Sequence, residues 1–175
     1  SSTYREHGGS HSVYCAASGS AAAPPGGPYP ANMSGWMAYG PFSLVGATAA
    51  RATFWHWTKS QLSKDTFQFM MSVDGLHFWG FKRSGTSGTT WVSEGFDFDD
   101  DLLPTSGLGQ PSVYFAFIFE SDGATQYEGA YVDDLVITKT AGGTPCVVTC
   151  SASVPGGTTP GASERLLGTR NASRC

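Results

Sequence analysis

The sequence predicts an all-β chain, a two-sheet antiparallel jelly-roll sandwich with a long irregular N-terminal loop and a mostly irregular C-terminal tail. Three observations point there. Apolar residues alternate over short runs that are bounded by Gly, Pro and Asp turns. No stretch of helical length carries apolar residues at i, i+3, i+4 and i+7 without Gly or Pro intruding. Only 14% of the residues are charged and 23 of the 175 are glycine, a turn-rich profile with little material for salt-bridged helices.

The elements follow in chain order. Residues 1–35 are small and polar, with one short strand over 11–16 (His11-Ser12-Val13-Tyr14-Cys15-Ala16). Ala21 to Pro30 is rich in proline and glycine and reads as an irregular loop. Trp36-Met37-Ala38-Tyr39 is a strand closed by Gly40-Pro41. From Ala50 to Thr58, Ala52, Phe54 and His56 alternate with Arg51, Thr53, Trp55 and Trp57. Thr66 to Val73 sets Phe67, Phe69, Met71 and Val73 against Gln68, Met70 and Ser72. Asp74-Gly75 then signals a two-residue hairpin leading into Leu76 to Arg83. Further strands fall at 89–96, at 112–120 with Val113, Phe115, Phe117 and Phe119 on one side, and at 129–139. A helical turn near 100–103 could be capped by Asp99, Asp100 or Asp101. About eight strands of this length make a sandwich. Jelly-roll order is favoured by the long N-terminal region and by first and last strands that a cysteine pair would join.

The organisation reads as a jelly roll over 1–139, a linker over 140–145 (Thr140-Ala141-Gly142-Gly143-Thr144-Pro145), and a poorly structured segment over 146–175. The chain opens at Ser1 without Met or an apolar leader and reads as a processed or excised piece. Net charge is −4 and the ten Lys and Arg are scattered, so neither nucleic acid nor an anionic membrane is expected as a partner. No apolar run is long enough to span a membrane.

Four cysteines, Cys15, Cys146, Cys150 and Cys175, fit a disulfide framework with three pairings open. The preferred one joins Cys15 to Cys146 and Cys150 to Cys175. Cys146 and Cys150 also have the spacing of half a zinc site, but no matching Cys/His pair follows in the tail.

The chemistry concentrates in Glu128-Gly129-Ala130-Tyr131-Val132-Asp133-Asp134-Leu135-Val136-Ile137. Strand residues alternate between faces, so a regular strand here turns one aspartate inward, where it needs N–H donors, a cation or a metal. Calcium, which takes six to eight oxygens, would use Asp133 or Asp134, a second acid from Glu6 or Glu128, and carbonyls of the 18–35 loop. The alternative is a carboxylate satisfied by backbone N–H groups or by Arg51. Asp97-Phe98-Asp99-Asp100-Asp101 reads as a solvated acidic loop, with a second calcium site as the lesser reading.

Trp55, Trp57 and Trp79, with Phe78 and Phe81, could form a sugar-stacking platform, or the tryptophans could fill the core. If Phe54 faces the core, Trp55 and Trp57 face outward. For hydrolysis no nucleophile elbow, zinc-protease helix or phosphate loop is present. Glu94, Glu120 and Glu128 qualify for a glycosidase only by being glutamates. Asn32-Met33-Ser34 and Asn171-Ala172-Ser173 match the glycosylation sequon.

The order of several pieces resembles the MAM-like jelly rolls, including the cleaved-adhesin and choice-of-anchor modules of secreted bacterial proteins. These pieces are Tyr4-Arg5-Glu6-His7-Gly8-Gly9-Ser10-His11-Ser12, Trp36-Met37-Ala38-Tyr39-Gly40-Pro41-Phe42-Ser43-Leu44, Ala52-Thr53-Phe54-Trp55-His56-Trp57, Ser72-Val73-Asp74-Gly75, Phe117-Ile118-Phe119-Glu120-Ser121-Asp122 and Gly129 to Ile137, together spanning roughly 4–138. The usual Gly-Gly-x-x-Trp after the Asp-Gly turn appears as Leu76-His77-Phe78-Trp79. The resemblance implies a secreted, calcium-stabilised, non-catalytic accessory or adhesion module carried beside a protease or glycanase, with Asp133 or Asp134 on the ion. Thr144 to Pro155 resembles the start of a PKD-type immunoglobulin-like domain. The Trp-Asp-Phe-Gly-Asp-Gly segment of such domains is missing, so this start is truncated. The expected function is accordingly an accessory or adhesion module whose partners are neighbouring domains, with carbohydrate binding through Trp55, Trp57 or Trp79 as the alternative.

Overall fold

The computed structural model describes residues 1–17, 22–142, 144–149 and 166–167. Among the described residues ten strands are present: β1 Val13–Tyr14, β2 Ser34–Phe42, β3 Ala47–Lys59, β4 Thr66–Ser72, β5 Trp79–Arg83, β6 Val92–Asp97, β7 Val113–Glu120, β8 Gly129–Ala141, β9 Thr144–Thr149 and β10 Leu166–Leu167. One sheet runs β1-β8-β3-β6 and the other β2-β7-β4-β5. This interleaved order, with every pair antiparallel, is the eight-stranded jelly roll built from two Greek keys. β9 adds to the first sheet beside β8, and β10 adds to the second in parallel with β2. No helix occurs among the described residues, and 99–103 forms only turns.

The two sheets close on an aromatic core. Phe54 lies between Phe69 and Phe117, at ring centroid distances of 5.2 and 4.7 Å. Phe67, Phe96, Phe98, Phe115 and Phe119 fill the rest. Strand alternation produces this arrangement, because odd positions of β4 and β7 and even positions of β3 all face inward.

Four local expectations are corrected. β2 does not stop at Gly40-Pro41; it continues to Phe42, with the pairing slipping between Tyr39 and Phe42. Residues 73–78 form a longer connection than a two-residue hairpin. Asp74 Oδ1 accepts the N–H groups of Leu76 and His77 at 2.8 and 2.9 Å, so the chain coils around its carboxylate before β5 begins. The segment read as a linker at 140–145 instead ends β8 and opens β9. The Cys15–Cys146 disulfide does not form. Cys15 is a free thiol whose amide donates to Ala130, whereas Cys146 stands opposite Lys139. That separates them by nine residues along β8, roughly 30 Å at strand rise and far beyond disulfide reach. Cys150 and Cys175, like most of the truncated domain expected over 146–175, lie outside the described residues.

Candidate functional site

Asp133 is half-buried and Asp134 exposed. β8 carries one extra residue against β3: Trp55 pairs with Asp133, but Thr53 pairs with Val136. Asp134 takes a left-handed conformation at φ 51°, which aspartate tolerates better than most side chains. A regular strand would have placed Asp134 opposite Phe54, inside the sandwich. The bulge turns it out to solvent and gives the inward place to Leu135, which packs on the core.

Both carboxylates instead hold down the N-terminal arm. Asp133 Oδ2 accepts the amides of His7 and Gly8 at 2.8 and 3.1 Å, and its Oδ1 accepts the amide of Asp134 at 2.8 Å. Asp134 Oδ2 lies 2.7 Å from His7 Nδ1. A side chain at position 8 would stand 2.9 Å from both Asp134 oxygens, so the clasp needs Gly8. Glu128 forms a two-pronged pair with Arg5, Nε to Oε1 at 2.5 Å and the second prong at 3.0 Å. Glu6 is exposed. The four acids therefore do not converge as calcium ligands. Among the described residues no group of three His, Cys, Asp or Glu side chains could hold a metal. The acidic loop at 97–101 is likewise tied locally, Asp97 to Arg51 and Asp100 to the amide of Leu102.

Neither tryptophan of β3 lies between the sheets. Both face outward, on the side opposite Phe54, and the arm covers them. The Arg5 guanidinium stands 3.7 Å from the centroid of the buried Trp57 ring, and His7 stacks on the half-buried Trp55 at 3.9 Å and 15°. Trp79 opens β5 opposite Met71 and stacks with His77. The three tryptophans thus share no platform. Nor do the three glutamates meet: Glu94 pairs with Arg83 across the edges of the two sheets, Glu120 with Gln68, and Glu128 with Arg5. His56 is buried; its Nε2 makes no hydrogen bond but lies 3.8 Å from Glu94 Oε1, and burial lowers its pKa.

The outer face of the β2-β7-β4-β5 sheet carries exposed Lys82 on β5 and half-buried Trp36 on β2, with Gln68 buried between them at 8% exposure. Because Phe67, Phe69, Phe117 and Phe119 point inward, their neighbours point out, and register sets them in cross-strand rows. One row runs Lys82, Gln68, Ile118, Trp36, one residue from each of the four strands. Its ends are three strand spacings apart, about 14 Å. Ile118 and Ala116 are covered although they face outward, because Trp36, Met70 and Phe78 pack around them. Trp36 and Phe78 meet edge to face at 5.4 Å, and Trp36 Nε1 donates to Ser34 Oγ.

Met70 is shared between this apolar ridge and a groove of about 590 Å³. Lys64, Thr66, Gln68, Gly80, Lys82, Glu120, Ser121 and Asp122 complete its lining. Gln68 Nε2 donates to Glu120 Oε2 at 2.7 Å and to Thr66 Oγ1 at 3.0 Å. Between Lys64 and Thr66 of the groove, in sequence, stands a buried carboxylate, Asp65, 1% exposed. It accepts the Asp122 amide at 2.8 Å and the Tyr29 hydroxyl, which fixes Asp122 and, through the chain, Lys64.

Sequence reasoning missed Trp36, Gln68, Asp65 and Lys82. The signal for Gln68 was present: it stands between Phe67 and Phe69 in an alternating strand, so the same alternation that fixes the core presents it outward. Asp65 gave no such signal, because it sits in a turn.

No family model and no curated protein matches this chain. Among solved structures it is similar to TmCBM61 in complex with β-1,4-galactotriose, at 11% identity and a TM-score of 0.43, over 77% of this chain and 74% of that one.

Proposed function

We propose that the chain is a non-catalytic sandwich module that binds polysaccharide along the outer face of the β2-β7-β4-β5 sheet. One observation carries the reading: the row Lys82, Gln68, Ile118, Trp36 places charge, amide, apolar floor and indole in line beside the groove. Pyranose rings present an apolar face and a rim of hydroxyls. They are held by aromatic stacking with a few placed polar groups, the composition expected of a concave ligand site. The row's length of about 14 Å suits a short run of sugar units rather than one. Such a module would keep the protein that carries it near a polymeric substrate, which agrees with the accessory role implied by the cleaved-adhesin resemblance.

Affinity gel electrophoresis against a panel of soluble neutral and acidic polysaccharides tests this. At least one is expected to retard the protein, and Trp36→Ala and Gln68→Ala are each expected to abolish the retardation while the folded far-ultraviolet signal persists. Retardation that survives both changes, or that is lost only in Trp55→Ala, would move the site to the other face.

A further inference from the structure

We infer that the polysaccharide taken by this groove is acidic, bearing carboxylate or sulfate groups that Lys64 and Lys82 recognise. This rests on the proposed function and narrows its ligand class.

The placement of the cations carries the argument. Arg5, Arg51 and Arg83 are each ion-paired within the fold, to Glu128, Asp97 and Glu94. Lys139 Nζ donates to the Ser43 carbonyl at 3.3 Å, and Lys59 Nζ lies 5.9 Å from the Tyr127 ring. Lys64 and Lys82 remain. Both are exposed, both line the groove, and among the described residues neither has an ion pair or side-chain hydrogen bond. The two lysine ammonium groups of the described residues without an ion pair, side-chain hydrogen bond or ring contact therefore stand in one recess.

The acids of the same recess have donors of their own. Glu120 accepts from Gln68, and Asp122 Oδ1 accepts the amide of Ala124 at 2.8 Å. Neither acid comes within 4.0 Å of a lysine nitrogen, although all four side chains line one groove. The carboxylates retain spare lone pairs that suit hydroxyl hydrogens, whereas the ammonium groups need an anionic or strongly polar acceptor. Lys82 also stands in the row of Trp36. A sugar stacked on the indole sets the glycan's direction, and an acidic sugar further along would bring its anion to Lys82.

The experiment compares polygalacturonate, chondroitin sulfate and a neutral galactan in the same gels, using the whole chain. Retardation by polygalacturonate or chondroitin sulfate is expected, and which of the two acts separates a carboxylate from a sulfate reader. Lys64→Gln and Lys82→Gln should each weaken it about fivefold, the upper end for an exposed ion pair. High salt should weaken it as well. Lys59→Gln, a lysine outside the groove, should change nothing. Retardation by galactan alone, unaffected by Lys64→Gln and Lys82→Gln, overturns the inference and leaves the proposed function standing. An equal loss in Lys59→Gln also overturns it, as non-specific charge attraction. Failure of every polysaccharide to retard the unsubstituted protein overturns both.

Discussion

The guanidinium carbon of Arg5 stands over Trp57, 3.7 Å from the ring centroid, and the group is held there by both oxygens of Glu128. Residues far apart in sequence thereby fasten the N-terminal arm to the sheet that ends the jelly roll. The arm leaves from a bridge between Ser2 and Ser12 and folds back over the outward face of β3 and β8. Without it, Trp57 would lose the cover of the Arg5 guanidinium on that face.

Arg5→Ala is therefore expected to destabilise the fold by about 2 kcal/mol, from the lost cation–π contact and from a partly buried Glu128 left unpaired. For a chain of this size that lowers the melting temperature by roughly 4–8 °C, and tryptophan emission should shift to the red as water reaches Trp57. A melting temperature and emission maximum identical to those of the unsubstituted protein would show that the arm contributes nothing there.

The bulge in β8 leads to a second expectation. Position 134 needs a left-handed backbone, so Asp134→Val should cost about 2 kcal/mol, whereas Asp134→Asn should stay within about 0.5. Because Asp133 is satisfied by three amides and Glu128 by Arg5, a strong chelator is expected to leave the melting temperature unchanged. A fall of several degrees on chelation would mean that an ion is bound and that these acids share it. Equal tolerance of Val and Asn would mean that the strand runs regularly through this position.

These two residues also mark where the sequence is legible and where it is not. The period-2 pattern is a property of each strand alone, so the eight runs and the shared sides of Phe67 with Phe69 and of Phe115 with Phe117 could be read from it. The jelly-roll order leaned instead on the long N-terminal region and on a Cys15–Cys146 pair that does not form. Asp134 could not be read from that pattern, because a bulge is decided between strands: β8 gains one residue relative to β3, and nothing local in Val132-Asp133-Asp134-Leu135 announces it. The assumption of strict alternation then forced an aspartate inward and suggested an ion for it. The groove was hidden for a related reason. Lys82, Gln68, Ile118 and Trp36 are distant in sequence and become neighbours only through the register of four strands. The tryptophans that stood out as a platform were those clustered along the chain, and clustering along a strand is no guide to exposure when another segment covers that face.

Alkaline pH provides the last expectation. The Cys15 thiol lies against Gly129 and Ala130, and a side chain at Gly129 would stand 2.6 Å from the sulfur. Burial pushes the thiol up from 9.0 to about 12, and it pushes the Tyr14, Tyr29 and Tyr131 hydroxyls above their ordinary 10.0. In each case the folded state holds the proton more tightly than the unfolded chain does. The sign follows: above pH 9 the unfolded chain has released protons that the folded one still binds, so stability falls as pH rises. It is fully present below pH 9, and the Cys15 contribution is lost between pH 9 and about 12. Melting temperatures measured from pH 8 to pH 11 should decline first through the thiol and then, beyond pH 10, through the tyrosines as well. Cys15→Ala isolates the first part, because it should flatten the curve between pH 9 and pH 10 and leave the later fall in place. The same burial makes the thiol slow toward an aromatic disulfide reagent at pH 8 until denaturant is added. A curve of unchanged slope in Cys15→Ala, together with prompt reaction of the native protein, would place the thiol in solvent and remove its part in the alkaline transition.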